Sequence, residues 1–124
     1  MKRILIVDDE IDILDTIVET LEIEFEDKDV SISFSNLPLE ALQSFNKDHD
    51  FDLVVTDLKM PLMDGLELSK NIKLIKPDIP IIVFTGHGDN QEKLELESLG
   101  IDIMVKKPNI KDLVASVCAT LKIN

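Results

Sequence analysis

The sequence predicts a doubly wound α/β domain, a parallel sheet with helices on both faces. Three observations carry that prediction. Two hydrophobic periods alternate along the chain, a short β-type run followed by a helical stripe, through five units. Two of the runs, ILIV and IIVF, are apolar without interruption, as strands covered on both faces are. Right-handed crossovers between successive parallel strands then place helices on both sides of the sheet. A chain of 124 residues suits one domain with a real core, so residues 1–124 are read as a single unit.

The first strand is RILIV (3–7), and Ile11, Leu14, Val18, Leu21 and Phe25 form the stripe of the helix after it. VSISF (30–34) is the second strand, followed by a helix carrying Ala41, Leu42 and Phe45. DLVVT (52–56) is the third, and Leu68, Ile72 and Ile75 mark its helix. IIVF (81–84) is the fourth, with a weaker, highly charged helix bearing Leu94 and Leu99. IDIMV (101–105) is the fifth, and Ile110, Leu113, Val114, Val117, Cys118 and Leu121 make the clearest stripe, on the last helix. Asp64 with Glu67, Asp89 with Glu92, and Asn109 with Asp112 each place an N-cap candidate three residues before an acidic group. Gly100 suits the end of the fourth helix. The two uninterrupted strands are expected at the centre of the sheet.

Composition narrows the function. A net charge of −12 argues against direct nucleic-acid binding, which needs clustered Lys and Arg facing phosphates. A cation, or a partner with a basic or apolar surface, fits better. The single Cys118 rules out a disulfide framework and suits a reducing, cytoplasmic setting. The first residues, MKRILIVDDE, are too short and too soon acidic to read as a signal peptide, and no apolar run approaches the length of a membrane span. The Met start and the TLKIN ending suit a complete small protein or an N-terminal domain cut from a longer one, with no output domain in this chain.

In doubly wound folds, ligands bind outside the carboxyl ends of the strands, where the strand order reverses. The first strand ends in Asp8, Asp9 and Glu10, the third in Asp57, the fourth in Thr85 and Gly86, and the fifth in Lys106, Lys107 and Pro108. A single Asp after a strand is more often a cap or turn residue, but four such ends converge on one rim. Three clustered carboxylates raise each other's pKa unless a cation joins them. Hard oxygen ligands suit Mg²⁺, and no His or Cys cluster competes for a softer metal, since His49 and His87 stand alone. Asp57 then offers an oxygen nucleophile, Lys107 a fixed positive charge and Thr85 a donor, with Gly86 leaving room near the backbone. That set meets the needs of phosphoryl transfer, with Asp57 as acceptor.

The stretches ILIVDDE, DLVVTDLKMPLMDGLEL, IIVFTGHGD and KKP, in this order and spacing, resemble the receiver domain of two-component response regulators, of the chemotaxis-regulator type. The resemblance covers essentially the whole chain. It implies a flavodoxin-like (βα)5 fold with strand order 2-1-3-4-5. It also implies that Asp57 accepts a phosphoryl group from a phosphohistidine on a sensor histidine kinase or histidine phosphotransfer protein. Asp9 and Asp57 would ligate Mg²⁺ directly, Asp8 through water, and the backbone carbonyl of Lys59 would complete the protein ligands. Thr85 and Lys107 would bind phosphoryl oxygens, and a cis peptide is expected between Lys107 and Pro108. Partners would read the phosphorylated state on the face of the fourth helix, fifth strand and last helix, as a monomer or a phosphorylation-dependent dimer. Lys59 and His87 hold the positions that flank the path of the attacking water in receivers. The Lys59 ammonium is expected to pair with the phosphoryl oxygens and lengthen the adduct's life. One position departs from the family pattern: Met104 stands where an inward-turning aromatic is usual, so it either repacks on activation or packs on the last helix.

Two other classes of function fit parts of the sequence. An Mg²⁺-dependent phosphohydrolase of the haloacid dehalogenase type also uses an Asp nucleophile after a strand. It needs a second Asp two places on, where this chain has Lys59. A pseudo-receiver would bind partners without chemistry, and the intact Asp9, Asp57, Thr85 and Lys107 argue against it.

Overall fold

The computed structural model describes residues 1–86 and 88–123. Ten elements alternate: β1 (Lys2–Val7), α1 (Ile11–Glu24), β2 (Val30–Ser35), α2 (Pro38–Lys47), β3 (Leu53–Thr56), α3 (Gly65–Ile75), β4 (Ile81–Thr85), α4 (Asn90–Ser98), β5 (Ile103–Lys106) and α5 (Ile110–Leu121). The strands form one sheet of order β2-β1-β3-β4-β5, and every pair is parallel. The expected fold class and strand order are both present.

Period-2 alternation divides each strand between two cores. Ile4 and Ile6 of β1, Leu53 and Val55 of β3, and Ile82 and Phe84 of β4 pack with Leu14, Ile17, Val18 and Leu21 of α1 and Leu113, Val117 and Leu121 of α5. Leu5, Val7, Val54, Ile81 and Val83 point the other way, onto Ala41 and Phe45 of α2, Leu68 and Ile72 of α3, and Leu96 of α4. Burial on both faces is why ILIV, LVV and IIVF read as unbroken apolar runs. β1 and β4 are interior as expected, and β3 takes the middle place between them.

Three details correct the sequence reading. Ile11 is 57% exposed; it keeps the helical spacing but is the first residue of α1, and the buried stripe runs Leu14, Ile17, Val18, Leu21, which takes in Ile17 as well. On α4, Leu94 is 61% exposed while Leu96 is buried and Leu99 is partly buried against the same core, so Leu96 takes the place expected of Leu94 and Leu99 packs as expected. β5 begins at Ile103, two residues later than expected. The Ile101 N–H instead closes α4 by bonding the Leu96 carbonyl at 3.0 Å, and Gly100 N–H bonds Glu97 at 2.9 Å. Gly100 sits at φ 82°, the left-handed turn that this helix ending requires. The three expected N-caps are formed: the side chains of Asp64, Asp89 and Asn109 each accept from the backbone N–H three residues on.

Candidate functional site

β1 is flanked by β2 on one side and β3 on the other, so the strand order reverses between β1 and β3. Backbone pairing continues past the strand ends there. The Asp57 N–H bonds the Val7 carbonyl at 3.1 Å, and the Asp8 N–H bonds Ser35 at 3.3 Å. These bonds carry Asp8 and Asp57 side by side onto the sheet's carboxyl edge. One oxygen from each of Asp8, Asp9 and Asp57 lies within 4.8 Å of the others. The sequence-predicted acidic cluster is therefore assembled.

Lys107 arrives from the opposite side. Its N–H bonds the Thr85 carbonyl at 3.0 Å, which fixes the loop after β5 against the end of β4. Its Nζ lies 2.9 Å from Asp57 Oδ2, 2.9 Å from Asp8 Oδ2 and 3.0 Å from Glu10 Oε1. The Lys107–Pro108 peptide is cis, as the resemblance implied. Thr85 is buried at the end of β4.

The remaining oxygens are held by backbone. Asp57 Oδ1 accepts from the Leu58 N–H at 2.7 Å, and Asp8 Oδ1 from the Glu10 N–H at 3.0 Å. Burial pushes the Asp8 carboxyl above the usual range, and the Asp57 charge adds to the shift, while Lys107 and the Glu10 N–H pull it back. Burial pulls the Lys107 ammonium down, but hydrogen bonds to Asp57, Asp8 and Glu10 outweigh it and leave its pKa raised. Lys107 is thus a permanent cation in this site.

Asp9 Oδ1 is buried and has no hydrogen-bond partner among the described residues. A carboxylate oxygen left so is costly unless a cation meets it. Three hard oxygen donors, one of them unpartnered, fit Mg²⁺ in both chemistry and number.

Some expectations are altered. The Lys59 ammonium lies 2.8 Å from Glu92 Oε2 on α4, so the structure pairs it with a carboxylate of the neighbouring helix. Met104 is half-buried on the α4 side of the sheet, with the second core, and not on α5. A β-carbon on Gly88 would come within 3.0 Å of the Met104 sulfur. At Gly86 a β-carbon would meet only the Lys107 β-carbon at 3.9 Å, so space does not demand glycine there. His87 lies outside the described residues.

Two participants were not singled out from sequence. Glu10 was visible as the third acid of DDE, but only the fold reveals that it shares the Lys107 ammonium. Gly65 opens α3, and a β-carbon there would collide with the Asp57 carbonyl oxygen. That oxygen also accepts from Thr56 Oγ1 at 2.9 Å, and the Gly65 N–H bonds the Leu58 carbonyl at 2.8 Å. A glycine at the first position of a helix, where it is a poor helix former, was the signal available. Between them the loop turns sharply at Leu62, φ 71°, where the Met63 N–H bonds the Pro61 carbonyl at 2.8 Å.

Comparison with known proteins bears on the family and the fold. Residues 4–118 match the family model of the response regulator receiver domain. The chain is 32% identical over 123 residues to a transcriptional regulatory protein CpxR homolog of Haemophilus influenzae, covering 98% of this chain and 51% of that protein. It is 35% identical over 124 residues to the response regulator ArlR of Staphylococcus saprophyticus, covering 98% and 53%. It therefore spans about half the length of these curated relatives. A CheY-like receiver domain protein from Methanospirillum hungatei superposes with a TM-score of 0.87 at 30% identity, over 98% of this chain and 94% of that one. A receiver domain protein from Clostridium thermocellum gives 0.86 at 30% identity, over 98% and 95%.

Proposed function

This chain belongs to the response regulator receiver domain family, and from that premise we propose that Asp57 is the acceptor of a phosphorylation-controlled switch. It is a signalling domain of two-component systems rather than an enzyme that turns over an external substrate. The observation that carries the assignment of Asp57 is its pairing with Lys107 at 2.9 Å inside the Asp8, Asp9 and Asp57 cluster, at the reversal of strand order.

The donor is a phosphohistidine on a sensor histidine kinase or a histidine phosphotransfer protein. A carboxylate oxygen of Asp57 forms a bond to phosphorus as the P–N bond breaks, and that electron pair returns to the imidazole. The Lys107 ammonium, already beside Asp57, balances charge on the phosphoryl oxygens, and the Thr85 hydroxyl donates to one of them. Asp8, Asp9, Asp57 and the Lys59 carbonyl would hold Mg²⁺, which when bound supplies positive charge beside the transferring group. The Asp57 Oδ1 bond to the Leu58 N–H keeps the carboxylate from rotating, so the reacting geometry is set before the donor arrives. Exposed Ile11, Leu37, Leu39 and Leu62 lie on elements and loops around this edge and offer an apolar surface to a protein donor.

Phosphorylation shifts the population of a second conformation, read on the α4, β5 and α5 face through Thr85 and Met104. Anchored by Leu96 alone among its fully buried residues, α4 is suited to move. No helix among the described residues is long and apolar enough to cross a membrane, and a cytoplasmic setting goes with this reading. Residues 1–124 form the receiver unit, and the output comes from a partner or from a separate domain. The hydrolase alternative lacks a carboxylic acid at position 59, where the Lys59 side chain is tied to Glu92. Intact-mass measurement after incubation with Mg²⁺ and acetyl phosphate tests the proposal. The expected result is one acid-labile phosphoryl group on the wild type and none on Asp57→Ala. Phosphate release with no adduct would favour a hydrolase, and no reaction would overturn the proposal.

A further inference from the structure

The Lys59 side chain leaves the acceptor loop two residues after Asp57 and crosses to α4, where its Nζ meets Glu92 Oε2 at 2.8 Å. Glu92 is not a free surface acid. It stands at the third position of α4, accepts from the Asp89 N–H at 3.4 Å through its other oxygen, and donates its own N–H to Asp89 Oδ1 at 2.8 Å. The helix cap therefore fixes the carboxylate that receives the ammonium. The Glu92 side chain is 14% exposed and that of Lys59 52%, so the anion, held by the cap, is the more buried partner and the cation the more exposed one. Asp64 and Asp89, the other acids near Lys59, are already engaged as caps of α3 and α4.

A phosphoryl group on Asp57 adds oxygen acceptors and negative charge within the same loop. The ammonium then has two competing anions, Glu92 on one side and the phosphoryl oxygens on the other. We propose that Glu92 is a positioning residue that shortens the life of the aspartyl phosphate by holding the Lys59 ammonium on α4, away from the phosphoryl oxygens. In hydrolysis a water oxygen bonds to phosphorus as the bond to the Asp57 oxygen breaks. The carboxylate returns, and inorganic phosphate leaves with the water's protons shared between it and solvent. An ammonium seated on the phosphoryl oxygens blocks the water's in-line approach, and an ammonium held by Glu92 leaves the approach open. The inference rests on Asp57 being the acceptor.

Glu92→Gln isolates the effect, because a Gln at this place still accepts from the Asp89 N–H and keeps the cap while losing the charge. The experiment labels the protein with acetyl phosphate and Mg²⁺, removes both the donor and free Mg²⁺, and follows loss of the adduct by intact mass. Glu92→Gln is expected to lengthen the half-life about two- to fivefold, the range open to a partly exposed ion pair. Glu92→Asp, which keeps the charge, should restore much of the wild-type rate. In a Lys59→Met background the Glu92→Gln change should have no effect, a result a merely structural role would not produce. An unchanged half-life in Glu92→Gln, the same change in both backgrounds, or loss of labelling confined to Glu92→Gln would overturn the inference. A wild type that takes up no phosphoryl group would overturn the acceptor assignment instead.

Discussion

Replacing Lys107 with Met keeps most of the stem and removes the charge that three carboxylates share. The side chains of Asp8 and Asp57 are 2% and 4% exposed, and that of Lys107 is 11% exposed, so the ammonium cannot be replaced by bulk water at no cost. Removing one partner of a buried ion pair costs about 3–5 kcal/mol. Two features put this case near the lower figure. Glu10, 58% exposed, regains its hydration, and Asp8 can take a proton. The Asp8 carboxyl is already raised, by burial first and also by the Asp57 charge, and the substitution removes both downward pulls from Lys107. A loss of about 3 kcal/mol corresponds to a fall in Tm of roughly 10 °C for a domain of this size. The direction of the pH dependence follows. A carboxyl whose folded pKa is raised contributes stability below its unfolded pKa and loses it as pH rises through the folded value. In the Lys107→Met variant that window extends higher, so the deficit against wild type should be largest near about pH 7 and shrink by about pH 5. Millimolar Mg²⁺ should recover part of it by restoring a counter-ion. Thermal melts of both proteins at the two pH values provide the test. Equal Tm near neutrality, or a deficit unchanged on acidification, would refute the reasoning.

Mg²⁺ should raise the Tm of the wild type, by about 2.7 kcal/mol of stabilisation at a hundredfold excess over Kd, and Asp9→Asn should lose most of that gain. A wild-type melt indifferent to millimolar Mg²⁺ would exclude a metal site at Asp9. Gly65→Ala drives a β-carbon into the Asp57 carbonyl oxygen; it should cost about 1–3 kcal/mol in urea unfolding and slow phosphoryl uptake, and wild-type values for both would show the contact to be unimportant. Phosphorylation should move backbone amide chemical shifts on α4, β5 and the first turn of α5, and shifts confined to the loop after Asp57 would count against a switch on that face.

The parts of this molecule legible in sequence were those set by local pattern or by strand-end position. Strand runs, caps and the last helix follow from periodicity and from side chains that bond their own backbone three residues on. The acidic cluster was legible because a parallel sheet puts every strand's carboxyl end on one edge. What escaped depended on packing between elements. Ile11 looks like part of a stripe, but only the packing of α1 against the sheet decides that Ile17 is buried and Ile11, at the helix's first position, is not. Met104 faces the α4 core because of its place in the β5 pleat, opposite Val83, and which helix covers which face of a strand is set by the packing of the elements and not by the strand's own sequence. The partners of Lys59 and Glu10 are separated by 33 and 97 residues respectively, and no local rule pairs side chains at such distances. Gly65 was legible only as a poor helix former, while the carbonyl it makes room for belongs to a residue eight positions earlier.

The central claim is that Asp57, and no other group, takes the phosphoryl group. Its most direct test is to label the wild type with acetyl phosphate and Mg²⁺, digest it under conditions that preserve acyl phosphates, and locate the added mass by fragment sequencing. The account predicts one phosphoryl group on the peptide containing Asp57, lost on mild acid or hydroxylamine treatment. A phosphoryl group on the peptide of Asp8 and Asp9, or an acid-stable one on a Ser or Thr, would contradict it.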